Sequence, residues 1–199
     1  MGDPKASRKK YSGPRHPWQK QRIQDEKVLM RDYGLKNKKE LWKMGSLLSA
    51  YRDRAKKLIA RPTPQTDKLK TELLSKLAKY GMVDKGAYLD QVLGLELKSI
   101  LDRRLQSIIV KKGLARTQKQ ARQFIVHNHI LVGERLISSP GYLVALEEEP
   151  LVVIVTDSPM ASESHPERIS AEQPAAKAKP KKKAEPARKP RRKSESKQK

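Results

Sequence analysis

Arg116, Lys119, Gln120, Gln123 and His127 stand at positions i, i+3, i+4, i+7 and i+11 of a segment that reads as a helix. At about 100° per residue they form one face, while Ala121, Phe124 and Ile125 cluster on another side. The first face offers cations, amides and an imidazole, and no carboxylate. A solvated surface mixes both charge signs, so this combination points to a polyanion, and RNA contact is the reading it favours. Thr117 is placed to cap the helix, and Gln120 three residues on completes a capping-box pattern. Arg103, Arg104, Lys111, Lys112, Arg122 and Asn128 lie close by and extend the candidate RNA-binding set. Asp102 precedes the two arginines as an acceptor within reach of either.

Helices near 99–112 and 117–128, followed by strands at 130–132, 135–137, 142–146 and 151–155, are expected to hold this surface. Val132, Gly133 and Glu134 form a tight turn, and Pro140-Gly141 is a second turn signal. The apolar, β-branched run at 151–155 reads as a buried strand packed on the two helices. His127 and His129 would point about 200° apart on a helix, so no metal site is expected from them. His127 is assigned to the RNA face and His129 to the helix–strand junction. Glu147, Glu148 and Glu149 read as a solvated turn before Pro150, because adjacent side chains do not converge on one site.

The chain carries 45 Lys and Arg against 22 Asp and Glu in 199 residues, a net charge of +23. That excess repels itself in a compact free protein unless a polyanion neutralises it. Nucleic acid is the first candidate partner and an anionic membrane the other. No run approaches the ~18–20 apolar residues that span a bilayer. The N-terminus lacks a secretory apolar region, and Ser7 falls one place beyond the position of a myristoylation signal. A cytoplasmic protein is expected. The absence of cysteine excludes disulfides, thiol catalysis and cysteine-bound zinc. Phosphate-loop, dinucleotide and nucleophile-elbow motifs are also missing, so neither an enzyme nor a cofactor is expected.

Residues 1–17 read as an extended basic arm broken by Pro4, Gly13, Pro14 and Pro17. Arg8, Lys9, Lys10, Arg15 and Lys20 surround Tyr11, His16 and Trp18, with Arg22 just beyond. Composition leaves two readings: phosphate and base contacts, or a disordered arm with its tryptophan tucked onto the body. A helix is expected over about 18–33, closed by Gly34. Asn37 would cap a longer helix, with Glu40 as its capping-box partner. Leu41, Met44, Leu48, Tyr51, Ala55 and Leu58 give that helix an apolar stripe, which reads as core. Arg61 to Pro64 break the chain, and a third helix turns Leu69, Leu73, Leu74, Leu77 and Tyr80 inward before Gly81. Residues 82–98 form a connector with a short helix near 88–93. From about Ser158 large apolar side chains nearly vanish, and residues 158–199 read as a disordered polybasic tail. Its basic runs suit RNA contact, and a nuclear import signal is the rival reading.

The pattern from Arg103 onward resembles a known module. The Arg-Arg-Leu-Gln helix, then Gly113, Leu114, Ala115, Arg116 and Thr117, then Gln120, Ala121 and Arg122, then His129 and Ile130, and finally Ser138, Ser139, Pro140, Gly141, Tyr142 and Val144 are similar to the RNA-binding domain of the ribosomal S-four family. Upstream, residues 33–44 resemble the archaeal and eukaryotic branch of that family. The resemblance covers most of residues 1–157. It implies an α+β protein: an all-helical domain over 18–98, then an RNA-binding domain over 99–157 of two helices on a short, mostly antiparallel sheet. It further implies direct binding of small-subunit ribosomal RNA at a junction of several RNA helices, early in assembly, and an influence on decoding accuracy. Neighbouring small-subunit proteins, and messenger RNA where it enters the subunit, are the other implied partners. Some family members carry a cysteine-bound zinc, which this chain cannot hold. A simple basic tail suggests the archaeal lineage. RNA-modifying enzymes and synthetases also carry the module, but residues 1–98 show no catalytic constellation. A general nucleic-acid binder acting through charge alone is the third reading.

Overall fold

The structure is a computed structural model that describes residues 2, 9–61, 63–84, 86–161 and 165. Arg8 and most of the expected tail lie outside the described residues. The fold is α+β, with seven helices and one three-stranded antiparallel sheet among the described residues.

Helices α1 (Lys20–Asp32), α2 (Lys38–Ala60) and α3 (Pro64–Lys79), with the short α4 (Leu89–Gly94) and α5 (Leu97–Asp102), enclose the first apolar core. The α2 stripe is buried throughout, from Leu41 to Leu58, because its three- and four-residue spacing keeps all six side chains on the inner face. Pro64 occupies the first turn of α3, where the missing N–H costs nothing, and Thr63 and Thr66 form a reciprocal capping box before it. The core contacts of α3 lie in its C-terminal half. Leu73 and Leu77 are buried there, whereas Leu69, expected inward, is 50% exposed one turn earlier.

Two local expectations are corrected by tertiary contacts. Asn37 stands at the N-cap of α2 but its side chain makes no capping hydrogen bond. Glu40 is drawn away from the helix start by two guanidinium groups described below. The helix expected over 99–112 is two helices, α5 and α6 (Leu105–Lys111), broken at Arg103 and Arg104. The backbone at the break pairs with residues 142–144 instead of continuing the helix. Leu105 donates its N–H to Tyr142 O at 2.8 Å, and Val144 donates to Arg103 O at 3.0 Å. The strand expected at 142–146 is therefore a single bridge, Arg104 to Leu143.

Helices α6 and α7 (Gln118–Val126) pack on a sheet of order β2-β1-β3 around the second core. Strand β1 (Ile130–Val132) turns through Gly133 into β2 (Arg135–Leu136) and pairs on its other side with β3 (Val152–Ile154). The run at 151–155 is a half-buried edge, not a fully buried strand: Val152 is buried, while Leu151 and Val153 are about half exposed. The folded part also reaches past the expected boundary at 157. Ser158 is buried, Met160 packs against the second core, and Pro159–Ala161 form a 3-10 turn.

Gly34 ends α1 with φ +56°, a left-handed conformation that costs other residues about 1–2 kcal/mol. Its Cα also faces α7 closely. A Cβ there would lie 2.8 Å from Gln118 Cβ and 3.0 Å from Gln106 Nε2. Gly34→Ala is expected to cost about 2–4 kcal/mol in denaturant unfolding, strain and overpacking together. Gly113→Ala meets the same left-handed penalty, φ +73°, but nothing lies within 4 Å of its added Cβ. It should cost only about 1–2 kcal/mol. Equal losses in the two variants would mean that the approach of α1 to α7 is not tight.

Candidate nucleic-acid interface

Thr117 Oγ1 accepts the N–H of Gln120 at 3.2 Å, which starts α7, and Gln120 Oε1 accepts the N–H of Arg116 at 2.7 Å. This holds Arg116 at the mouth of the helix. Asn128 ends α7 with φ +61°, a conformation asparagine tolerates better than most residues. The N–H of His129 reaches back to Phe124 O and that of Asn128 to Ile125 O, the pattern of a left-handed helix close. Ala121, Phe124 and Ile125 are buried in the second core. Arg116, Lys119, Gln123, His127 and Asn128 are exposed, and Gln120 is half-buried beside them. The described surface of α7 thus carries the cations, amides and imidazole together, on a helix anchored from behind.

Because α7 closes at Val126, the two histidines do not obey helical angles. The His127 and His129 rings stack with centroids 6.2 Å apart, contrary to the expectation that they diverge. His129 is held by Ser158, whose Oγ lies 2.9 Å from its Nδ1, and by an edge contact with Phe124. Among the described residues no group of three or more His, Asp or Glu is placed to hold a metal.

Between residues 103 and 128, four of the expected RNA-facing cations are turned inward. Arg104 is 2% exposed, and its Nη2 donates to Glu40 Oε2 at 2.9 Å. Arg122 grips the same carboxylate with both terminal nitrogens, at 2.8 and 3.2 Å. Arg103 pairs with Glu149 at 2.8 Å and donates to Val144 O. Lys112 donates to the carbonyls of Pro150 and Val152. The helix break accounts for the first two of these arginines in the chain: it points Arg103 and Arg104 at acceptors 40 or more residues away instead of along an exposed face. Asp102 pairs with neither arginine. It accepts from Tyr33 Oη at 2.8 Å and lies 3.8 Å from Lys111, which remains exposed. Burial and the Asp102 carboxylate push the Tyr33 hydroxyl well above its usual pKa.

Of the acidic triplet only Glu147 is a solvated side chain. Glu148 accepts from Tyr142 Oη and from the N–H of Ala145, and Glu149 holds Arg103. Two residues that fix the geometry carry no local signal of it. Glu40 joins α2 to α7 and the α5–α6 break. Gln106, 1% exposed, donates through Nε2 to the carbonyls of Tyr33, Gly34 and Gln118. Burial works to raise the Glu40 pKa, but the hydrogen bonds and charges of Arg122 and Arg104 outweigh it and hold the carboxyl below the ordinary range.

In the arm, Lys9, Lys10, Arg15 and Lys20 are exposed, and Trp18 is 89% exposed. The tryptophan is not the residue tucked onto the body. Tyr11 is, with its ring 6.0 Å from that of Trp42 and Lys9 Nζ 4.5 Å above it. Arg22 is turned to the body, where it donates to Pro17 O and lies 3.5 Å from Glu26.

Residues 103–149 match the S4 domain, and the match begins at the break between α5 and α6. Beyond that domain the likeness extends over most of the chain. The small ribosomal subunit protein uS4 of Methanococcus maripaludis strain C7 is 51% identical over 172 residues, 86% of this chain and 97% of the relative. The chain belongs to the uS4 family. The uS4 protein of Methanococcus aeolicus is 52% identical over 169 residues, 84% of this chain and 96% of its own length. Both uS4 relatives are archaeal, in line with the branch suggested by residues 33–44. The uS4 likeness takes in the helical body as well as the S4 domain, so Glu40 and both of its arginines lie within the stretch that the match spans.

Proposed function

We propose that the chain is a structural component of the small ribosomal subunit that binds its ribosomal RNA directly. The observation that carries this reading is the exposed α7 face, where Arg116, Lys119, Gln123, His127 and Asn128 stand on a rigid two-helix platform without a carboxylate among them. Lys and Arg supply affinity by releasing counterions, and the fixed angle of the platform to the helical body supplies shape recognition of RNA backbone and 2′-hydroxyls. In this reading the protein clamps a multi-helix junction early in assembly and contributes to decoding accuracy. It sits beside other small-subunit proteins and close to incoming messenger RNA, in the cytoplasm. The arm adds Lys9, Lys10, Arg15 and Lys20, with Trp18 as a stacking surface.

Competition binding tests it. The full chain is mixed with labelled 5′-domain small-subunit ribosomal RNA, with duplex RNA and duplex DNA as competitors at moderate salt. The expected result is binding that both competitors fail to displace and that weakens about 10- to 100-fold when Arg116 and Gln123 become alanine. Equal displacement by every polyanion would leave a general nucleic-acid binder, the second reading, which rests on the net charge of +23.

A further inference from the structure

Between α2 and the turn at 139–141 lies a recess of about 280 Å³, walled by Glu40, Lys43, Arg104, Arg122, Ser139 and Gly141. Its charged groups are three cations and one carboxylate, so two positive charges are in excess. Glu40 occupies one side of the two guanidiniums and leaves the remainder unmatched. Arg104 Nη1 is fully buried and has no hydrogen-bond acceptor among the described residues. A buried charged donor without an acceptor is a costly state, and it belongs to a side chain that walls the recess. Lys43 is exposed on the α2 side of the opening and makes no ion pair among the described residues. Ser139 lines the recess from a turn whose next residues are Pro140 and Gly141. The volume of about 280 Å³ falls just below the roughly 300–1,000 Å³ of drug-sized ligand sites and leaves room for a small anion.

We propose that this recess is an oxyanion site for a single phosphate group, held by Lys43, Arg104 and Ser139 at the seam between the helical body and the S4 domain. The inference rests on the RNA reading for the source of that phosphate, an RNA backbone phosphodiester, while free phosphate shares the same chemistry. An RNA strand so held touches both halves of the protein through one group, and the phosphate neutralises charge that the Glu40 clamp leaves over. The site lies apart from the α7 face, so it adds a second and independent contact.

The test titrates potassium phosphate into the full-length protein at constant ionic strength, with chloride as the comparison, and follows the thermal midpoint and the heat of binding. A saturable rise with phosphate is expected, and Lys43→Ala should weaken it about tenfold. Lys57→Ala, on the same helix but away from the recess, should leave it unchanged. In parallel, the salt dependence of RNA binding is compared between wild type and Lys43→Ala. A slope smaller by about 0.7–0.9 identifies an RNA phosphate as the occupant. An unchanged slope with phosphate-specific stabilisation identifies free phosphate at the same site. Stabilisation no greater than with chloride, or indifferent to Lys43→Ala, overturns the site. The wild-type RNA affinity, measured in the same series, judges the RNA reading separately.

Discussion

Glu40→Gln is expected to lower the unfolding free energy by about 2–4 kcal/mol. The substitution keeps the shape of the side chain and removes its charge. Two guanidiniums, one of them on a residue only 2% exposed, then lose the carboxylate that neutralises them. The range is set slightly below that of a fully buried pair because the Glu40 side chain is 25% exposed. Urea unfolding measures it, with Glu147→Gln as the comparison, a change at an exposed carboxylate that should stay within about 0.5 kcal/mol. A Glu40→Gln protein as stable as wild type would mean that the Glu40 clamp does not hold the two halves together.

The same clamp has a pH signature. Its carboxyl is held below the ordinary range in the folded chain, so the unfolded state binds protons more readily. The stability contributed by Glu40 is therefore complete above the unfolded pKa, near 4.5, and is lost as pH falls through the lower folded value. Glu26 acts in the same direction and window: burial opposes its ionisation, and its hydrogen bonds with Trp42 and Lys38 prevail. Acid unfolding should accordingly be shallower in Glu40→Gln but not flat.

Replacing Arg116 and Lys119 together by alanine is expected to leave stability unchanged within about 0.5 kcal/mol while reducing the salt slope of RNA binding by about 1.4–1.8. Both side chains are exposed, and neither closes an ion pair among the described residues. Each phosphate contact removed takes its own counterion release with it. Arg103→Ala should do the reverse, because that guanidinium holds Glu149 and Val144 O. It should lower stability and leave the slope nearly intact. If the double variant keeps the wild-type slope, α7 is not the surface that meets RNA phosphates.

Much of this architecture is local and was therefore legible in the chain. The α2 stripe, the apolar side of α7 and the Thr117 cap depend on periodicity and on neighbours within four residues. The helix break at Arg103 does not. It is set by backbone pairing with residues 142–144, which no helical pattern announces. The same distance hides Glu40. Its spacing from Asn37 fits a capping box, and only the folded chain brings two arginines to it. Charge counting fails for a related reason: an arginine that closes a domain seam and one that meets RNA are identical in composition. Arg104 and Arg116 differ only in what lies behind them.

Glu40 is made 64 residues before Arg104 and 82 before Arg122. At synthesis rates of about 5–20 residues per second, roughly 4–16 s pass before the second partner exists. The first core needs nothing later than Leu101 among its buried residues, so the helical body closes while its clamp still stands open. A chain that stops before Arg104 carries the Glu40 carboxylate on α2 without either guanidinium that neutralises it in the finished seam. Chain order thus separates closure of the helical body from closure of the seam that joins it to the S4 domain.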